Sequence, residues 1–145
     1  MKRIIMSFML GGTIYALIEV IYKKSTHISM FIAGGAALCI INSLCCKYFH
    51  KKSLLFKCLI GSCVITAIEF ITGIIVNKIM HLNVWDYSHL PFNVSGQICL
   101  LFSFLWFLIT IPAIEVCKII NKRCPDFNFK KLINQQKNFF NKAFK

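Results

Sequence analysis

Charged residues, and acidic residues above all, are scarce in this sequence. Its 145 residues include only 5 Asp and Glu against 17 Lys and Arg, and charged residues make up 15% of the chain. Soluble domains carry about 25% charged residues, whereas hydrophobic residues here reach 57% and the mean hydropathy is +0.68. The composition therefore predicts an all-α, polytopic membrane protein. Because no soluble domain presents the basic charge, we expect no nucleic-acid partner.

Motifs for metal, redox and nucleotide chemistry are also missing. The 8 cysteines form no CxxC pair, and no histidine has metal-ligand spacing to them. Most of them lie in apolar stretches, where a thiol serves as a small, polarizable packing group. The chain has no Walker motif, phosphate-binding loop or nucleophile elbow. We therefore expect no metal site, no cofactor and no catalytic residue, and an ATPase partner would be a separate chain.

Four apolar stretches are long enough to cross a bilayer, whose core of about 30 Å needs roughly 20 residues of helix. They cover residues 4–22, 28–46, 54–77 and 94–117, within one transmembrane domain over residues 1–124. Because Asn42 and Lys57 interrupt the middle two, a two-span protein with buried helices is the alternative. The first stretch also resembles a signal peptide, but its length, Glu19 and the absent small-residue cleavage site favour a retained helix.

The distribution of lysine and arginine predicts an orientation. Two precede the first span, four surround the second loop and eight follow the last span, fourteen in all, against two in the first loop and one in the third. Cytoplasmic loops carry the excess of Lys and Arg. We therefore expect a multi-pass protein of the bacterial cytoplasmic (inner) membrane with both termini in the cytoplasm.

The last segment, residues 125–145, is basic and amphipathic. Its apolar residues fall on one helical face, and five lysines against one aspartate surround that face. Such a helix is suited to an anionic inner leaflet; packing against a partner protein is the alternative. The apolar face consists of Phe129, Leu132, Ile133, Phe140 and Phe144.

Three of the five acidic residues, Glu19, Glu69 and Glu115, lie inside apolar spans. A carboxylate at membrane depth is costly and usually faces a bundle interior or an aqueous cavity. Glu19 and Glu69 lie on stripes of small and polar residues at helical spacing, which predicts that both face inward. Glu115 lies off its stripe, so we expect it to pair with Lys118 or Lys122 or to reach the interface. The stripes are Ser7, Gly11, Tyr15 and Glu19; Cys58, Ser62, Thr66, Glu69, Gly73 and Asn77; and Gly96, Cys99, Ser103, Trp106, Thr110, Ala113 and Cys117.

The third loop, KIMHLNVWDYSHLPFNVSGQ, is rich in aromatic and polar residues. An aromatic belt at the membrane interface explains its Trp and Tyr but not the polar residues among them. We predict that the loop is the lid of an outward-facing site for a cation or cationic solute. We expect Glu19 and Glu69 to face one shared cavity beneath this loop, each paired with the other or with Tyr15, Thr66, Asn93 or Gln97. The predicted site residues are Glu19, Glu69, Trp85, Asp86, Tyr87, Asn93 and Gln97.

One run in this loop, VWDYSHLPFNVSGQICL, resembles the signature of the CmpB-like ABC transporter permease family of bacterial membrane proteins. The runs YALIEVIYKK and AIEFITG resemble two further helices of that family. The resemblance implies a transport-type membrane subunit that works with a separate ATPase. One segment departs from it, because residues 25–43 contain none of the Arg-Gly, Gly-Pro and Pro-x-Tyr-Gly motifs of typical members.

Three functions stay open at this point. The first is the transport-type subunit, which at four spans implies a homo-oligomer or another membrane subunit besides the lipid bilayer. The second is a non-transporting scaffold, sensor or accessory subunit with the glutamates as packing elements. The third, a membrane enzyme with Asp86 and His89 or His81 as acid and base, has no supporting motif, and we expect no enzymatic activity.

Overall fold

The computed structural model describes residues 1–124 and contains an all-α bundle; the predicted amphipathic segment, residues 125–145, lies outside the described residues. Two of its helices end in π-helical turns, and two short antiparallel strands precede the last helix. The elements are α1 (Lys2–Lys23), α2 (Ile28–Ile41, continued by the π-helical Asn42–Tyr48), α3 (Leu54–Gly73, continued by the π-helical Ile74–Ile79), β1 (Asn93–Val94), β2 (Ile98–Cys99) and α4 (Leu100–Arg123).

Each helical segment is long and apolar enough to cross a bilayer. The most apolar 18-residue stretches within Lys2–Lys23, Ile28–Tyr48, Leu54–Ile79 and Leu100–Arg123 have mean hydropathies of 2.0, 1.9, 2.2 and 2.1. At 1.5 Å per residue the four segments measure about 32–39 Å, against a hydrocarbon core of about 30 Å. Large apolar side chains such as Ile21 and Leu55 are exposed on their outer faces. The chain is therefore a multi-pass membrane protein with four candidate spans among residues 1–124.

Short turns join the first three helices. Lys24 takes the left-handed conformation, with φ of 60°, and its N–H donates to the Val20 carbonyl. The His27 ring and the Ser53 hydroxyl accept backbone N–H groups at the starts of α2 and α3. Consecutive helices are therefore antiparallel. Residues 24–27 and 80–99 lie at one end of the bundle, here the loop end, and residues 49–53 lie at the other with the N-terminus.

Helix α4 begins at Leu100, not at residue 94 as predicted from hydropathy. The backbone of residues 93–99 instead forms the β1–β2 pair, in which Asn93 lies opposite Cys99. Ser95 and Gly96 between the strands have φ values of 54° and 68°. Positive φ is incompatible with a right-handed helix, so the apolar run extends further toward the N-terminus than the helix does.

The small and polar stripes face the bundle interior, as their spacing predicts. Ser7, Glu19, Glu69 and Thr110 are all buried, with at most 7% of each residue exposed. Between α3 and α4 the Ser62 hydroxyl donates to the Ser103 carbonyl at 2.6 Å, and the Thr66 hydroxyl to the Ser103 hydroxyl at 3.1 Å. Between α1 and α2 the contact is closer still. A Cβ placed on Gly11 would lie 2.5 Å from the Gly34 carbonyl oxygen.

Candidate functional site

Glu69 lies at the junction of α3, α4 and the long loop. Its side chain is buried, and the residue is only 3% exposed. One carboxylate oxygen accepts from the Trp106 indole N–H at 2.7 Å, and the other accepts from the Tyr87 hydroxyl at 3.0 Å. Both oxygens act as acceptors, which suits an ionised carboxylate. Through Tyr87 this carboxylate holds the loop onto the helices.

The Tyr87 hydroxyl is the donor in that contact. Burial raises the pKa of the Tyr87 phenol well above its ordinary value, and the negative charge of Glu69 raises it further. The hydroxyl therefore stays protonated and donates at any physiological pH. The ring of Tyr87 stacks on Phe102 of α4, with centroids 4.5 Å apart, so the side chain is fixed by both its ring and its hydroxyl.

Glu19 makes a second connection between a helix and the loop. It is 7% exposed, and its oxygens accept from the Lys23 ammonium at 2.8 Å and the Thr26 hydroxyl at 2.6 Å. The same ammonium donates to the Val84 carbonyl at 2.7 Å. Lys23 therefore bridges the carboxylate of α1 and the backbone of the long loop.

The predicted partners of the two glutamates were wrong. The Thr66 hydroxyl donates to Ser103 and the Gln97 amide N–H donates to the Ser95 carbonyl, so neither donates to a glutamate. The observed partners could have been found in part. Lys23 is four residues after Glu19, a spacing at which helical side chains meet, and Trp106 lies on the inward stripe of α4.

A cavity of about 150 Å³ lies between these two glutamates and is here called the aromatic cavity. Glu19 and Lys23 line it directly, whereas Glu69 lies behind the rings of Tyr87 and Trp106. Tyr15 of α1 and Trp106 of α4 both line the cavity and stack on each other, with ring centroids 5.4 Å apart. Half of the residues in its wall are aromatic: Tyr15, Tyr22, Trp85, Tyr87, Phe102 and Trp106.

Among the other predicted site residues, Trp85 both lines the cavity and joins the contacts that build the loop, whereas Gln97 joins those contacts without lining the cavity. Asn77, at the end of α3, donates to the Trp85 carbonyl at 3.0 Å and to the Gln97 side-chain oxygen at 2.8 Å. Its own side-chain oxygen accepts from the Val84 N–H at 2.7 Å. The Trp85 indole N–H in turn donates to the Gln97 carbonyl at 3.0 Å. This buried network fixes both ends of the loop against α3.

Asp86 and Asn93 shape the exposed part of the loop. The Asp86 carboxylate accepts from both the backbone N–H and the hydroxyl of Ser88, at 2.8 Å each, and these bonds lower the pKa of Asp86. Asn93 donates to the Leu90 carbonyl at 2.7 Å and accepts from the Gly96 N–H at 3.1 Å. Gly96 is required here, since a Cβ in its place would lie 2.6 Å from an Asp86 carboxylate oxygen.

Comparison with known protein families identifies the chain's relatives. The sequence model of the family described as "Putative ABC-transporter type IV" matches residues 6–142. The chain belongs to this family. The resemblance inferred from the loop and helix motifs is thereby confirmed. Comparisons with curated proteins and with solved structures find no significant match.

The loop signature of this family member has a clear structural meaning. Trp85, Asp86, Asn93 and Gly96 each contribute a contact that shapes the loop, and Tyr87 carries the contact with Glu69. Together these contacts hold the loop over the buried carboxylates of Glu19 and Glu69. That Glu19, Glu69 and the loop residues bind a solute stays a prediction.

Glu115 occupies a different environment from the other two intramembrane glutamates. Its carboxylate pairs with the Lys118 ammonium at 2.7 Å, and both side chains are more than half exposed. This confirms the pairing with Lys118 that its position predicts. Within residues 1–124, no three His, Cys, Asp or Glu side chains are grouped so that they could bind a metal ion.

Proposed function

We propose that the chain is a transport-type membrane subunit, as the family description suggests, which binds a cation or a cationic solute in the aromatic cavity. The observation that carries this proposal is the combination of a carboxylate and six aromatic rings around one cavity of about 150 Å³. Aromatic faces attract cations, most strongly where water is excluded, and cages of such rings bind quaternary ammonium groups.

The charges around the cavity support a cationic ligand. Glu19 and Glu69 place two carboxyl groups beside the cavity, against the one ammonium of Lys23, which is already bound by Glu19 and the Val84 carbonyl. Carboxyl oxygens and aromatic faces therefore outnumber cationic groups around the cavity. Tyr87 forms part of the wall and is held by Glu69, so its release would open the cavity toward the loop end.

The remaining parts of the proposal follow from the sequence. With the orientation predicted from lysine and arginine counts, the loop end faces outward in a bacterial inner membrane. Four spans are few for a complete pathway, so the subunit would act as a homo-oligomer or with another membrane subunit, and with a separate ATPase chain. We propose no enzymatic activity, a view supported by the commitment of Asp86 to Ser88.

Ligand-dependent stability tests the proposal. The purified chain in nanodiscs is unfolded thermally with tetramethylammonium chloride or with sodium chloride at equal ionic strength. A ligand of the folded state stabilises it by about 2.7 kcal/mol at a concentration of 100 Kd, so Tm should rise with tetramethylammonium alone.

Matched variants locate the effect. Glu19→Gln and Tyr87→Phe should lose the Tm increase, while Glu115→Gln should retain it, because that carboxylate is exposed and pairs with Lys118 away from the cavity. An equal Tm in both salts for the unmodified chain would contradict binding of an organic cation by the aromatic cavity. So would an increase that survives Glu19→Gln and Tyr87→Phe unchanged.

One observation favours a scaffold or accessory subunit as the second candidate. All four carboxylate oxygens of Glu19 and Glu69 already accept hydrogen bonds from protein groups, as purely structural glutamates would. Purification from native membranes in mild detergent, followed by mass spectrometry of co-purifying chains, separates the two candidates. An ATPase among those chains favours transport, and a membrane partner without any ATPase favours the scaffold.

A further inference from the structure

The aromatic cavity adjoins a second cavity deeper in the bundle. This apolar cavity has a volume of about 220 Å³ and is lined by side chains from all four helices. The two cavities share four wall residues: Tyr15, Ile18, Trp106 and Ile109. They are therefore adjacent sections of one cleft between α1 and α4, with the aromatic section at the loop end.

The chemistry of the cleft changes along its length. Its wall on α1 runs from Gly11 to Lys23, which corresponds to about 18 Å of helix. At the loop end this wall carries Glu19 and Lys23. In the deeper section no charged side chain lines the cleft, and beyond the rings of Tyr15 and Trp106 the lining is aliphatic. Apolar cavities of about 150 Å³ stay dry and take up apolar molecules.

We propose that this cleft binds a single-chain cationic amphiphile, with the charged head in the aromatic cavity and the hydrocarbon chain in the apolar cavity. The inference rests on the proposed function and names the class of its ligand. The Glu19 carboxylate and the aromatic rings at the loop end complement the head. The aliphatic section lies beyond Tyr15 and Trp106 and accommodates the hydrocarbon chain attached to that head.

The shape of the cleft suits a hydrocarbon chain better than a helix from a second copy. A helix with its side chains is about 10 Å wide, whereas a hydrocarbon chain is a single file of methylenes. The apolar section continues directly from the aromatic cavity past Tyr15 and Trp106. A chain attached to a head group in the aromatic cavity therefore reaches the aliphatic lining.

Photolabelling in phosphatidylcholine nanodiscs tests the inference on the unmodified full chain. Three diazirine probes with the same dodecyl chain carry a trimethylammonium, a hydroxyl or a sulfate head, and mass spectrometry locates the labelled residues. The cationic probe should label residues 11–23 and 106–116 about tenfold more strongly than either other probe. Equal labelling by all three probes would overturn the inference, because it would report only contact with bulk lipid.

A variant pair distinguishes the apolar section from the lipid-facing surface. Ala113 lines the apolar cavity, whereas Ala67 is exposed on α3. Ala113→Leu should reduce labelling by the cationic probe to the level of the neutral probe, and Ala67→Leu should leave it unchanged. Labelling that is insensitive to Ala113→Leu would contradict the placement of the hydrocarbon chain.

The outcomes also separate this inference from the proposed function. If tetramethylammonium raises Tm but the dodecyl probe shows no preference for the cleft, the cation site stands and the amphiphile is wrong. If neither cation acts, both fail. If a second copy fills the cleft, Ala113→Leu should change the oligomeric mass measured by light scattering while the probes never label the cleft, and the inference is overturned.

Discussion

Helix α1 has two neighbours and packs against them in opposite ways. Against α2 it presents Gly11 to Gly34, so closely that a Cβ on Gly34 would lie 2.7 Å from the Gly11 carbonyl oxygen. Against α4 it presents the ring of Tyr15, which stacks on Trp106 with 5.4 Å between centroids, and both sections of the cleft lie beside this pair.

The difference shows how one helix can be held firmly on one side and border a cavity on the other. In a membrane no hydrophobic effect drives helices together, so close backbone contact between small residues must supply the packing energy. The glycine contact fixes α1 on α2. Because α2 already holds α1 in place, large rings can keep the opposite side of α1 apart from α4, and a cavity remains between them.

The largest loss of stability is expected from placing a bulky side chain in the glycine contact between α1 and α2. In Gly34→Leu the new side chain would meet the Tyr15 side chain and the Gly11 backbone, and backbone cannot move aside. Overpacking a well-packed interior costs about 1–3 kcal/mol and occasionally more, and here we expect at least the upper end. Thermal unfolding in nanodiscs, followed by intrinsic tryptophan fluorescence, measures the loss.

Ala67→Leu is the matched control for this substitution. It also introduces a leucine into a helix interior, but at an exposed position on α3. It should leave Tm nearly unchanged, because surface substitutions usually alter stability by about 0.5 kcal/mol or less. If Gly34→Leu were tolerated as well as Ala67→Leu, the contrast between the two sides of α1 would be lost.

An intermediate effect is expected at the Trp106–Glu69 contact beside the cleft. Trp106→Phe preserves an aromatic ring for Tyr15 but removes the N–H donated to Glu69 at 2.7 Å. An unsatisfied buried acceptor costs about 1–3 kcal/mol, and more for a charged group. The free energy of unfolding should fall by that amount.

A double-mutant cycle with Glu69→Leu isolates this contact. Without the carboxylate, Trp106→Phe leaves no unpaired acceptor and should cost less. Residues in contact show coupling of about 0.5–3 kcal/mol. Strict additivity of the two substitutions would mean that the hydrogen bond contributes nothing to stability.

Helical spacing alone predicted which faces of the helices point inward. Ser7, Gly11 and Glu19 of α1 are buried, as are Glu69 and Asn77 of the third span. The reason is local: a residue's direction on a helix depends only on its position in the sequence. The same reasoning marked Trp106 as inward without identifying its partner.

The contacts of the site could not be predicted in the same way. Tyr87 reaches Glu69 because Asn77 and Gln97 fix the loop across α3, and Thr26 reaches Glu19 because of the turn after α1. These contacts depend on how separate segments pack, which no helical period encodes. The late start of α4 has a similar cause, since two residues with positive φ interrupt an apolar run that hydropathy cannot distinguish from helix.

A small change in stability is expected from a larger side chain that fills the cleft from α4. Ala113→Leu adds a side chain to an existing cavity, so it meets space where Gly34→Leu meets backbone. Cavity-filling substitutions commonly add about 0.5–2 kcal/mol, and we expect stability to be unchanged or raised within that range. Thermal unfolding beside Gly34→Leu checks the result. A Tm as low as that of Gly34→Leu would mean that the cleft is closed in the membrane.

The smallest effect concerns Asp86, whose exposed carboxylate accepts two hydrogen bonds from Ser88. These bonds lower the pKa of Asp86 below its ordinary value, which is about 3.9 in an unfolded chain. The contribution to loop stability is therefore present above about pH 3.9 and is lost as the pH falls through the lower, folded pKa. Hydrogen exchange of the loop peptide around Ser88, relative to its intrinsic rate, should show protection decreasing in that acidic window.

Asp86→Asn separates the charge from the shape of this turn. The asparagine side-chain oxygen can still accept from the Ser88 N–H, but it does not titrate. The loop should therefore keep most of its protection at neutral pH and lose the acid-dependent decrease. If the variant showed the same decrease, another group would be titrating, and the loop would depend on the glutamates beneath it more than on its own turn.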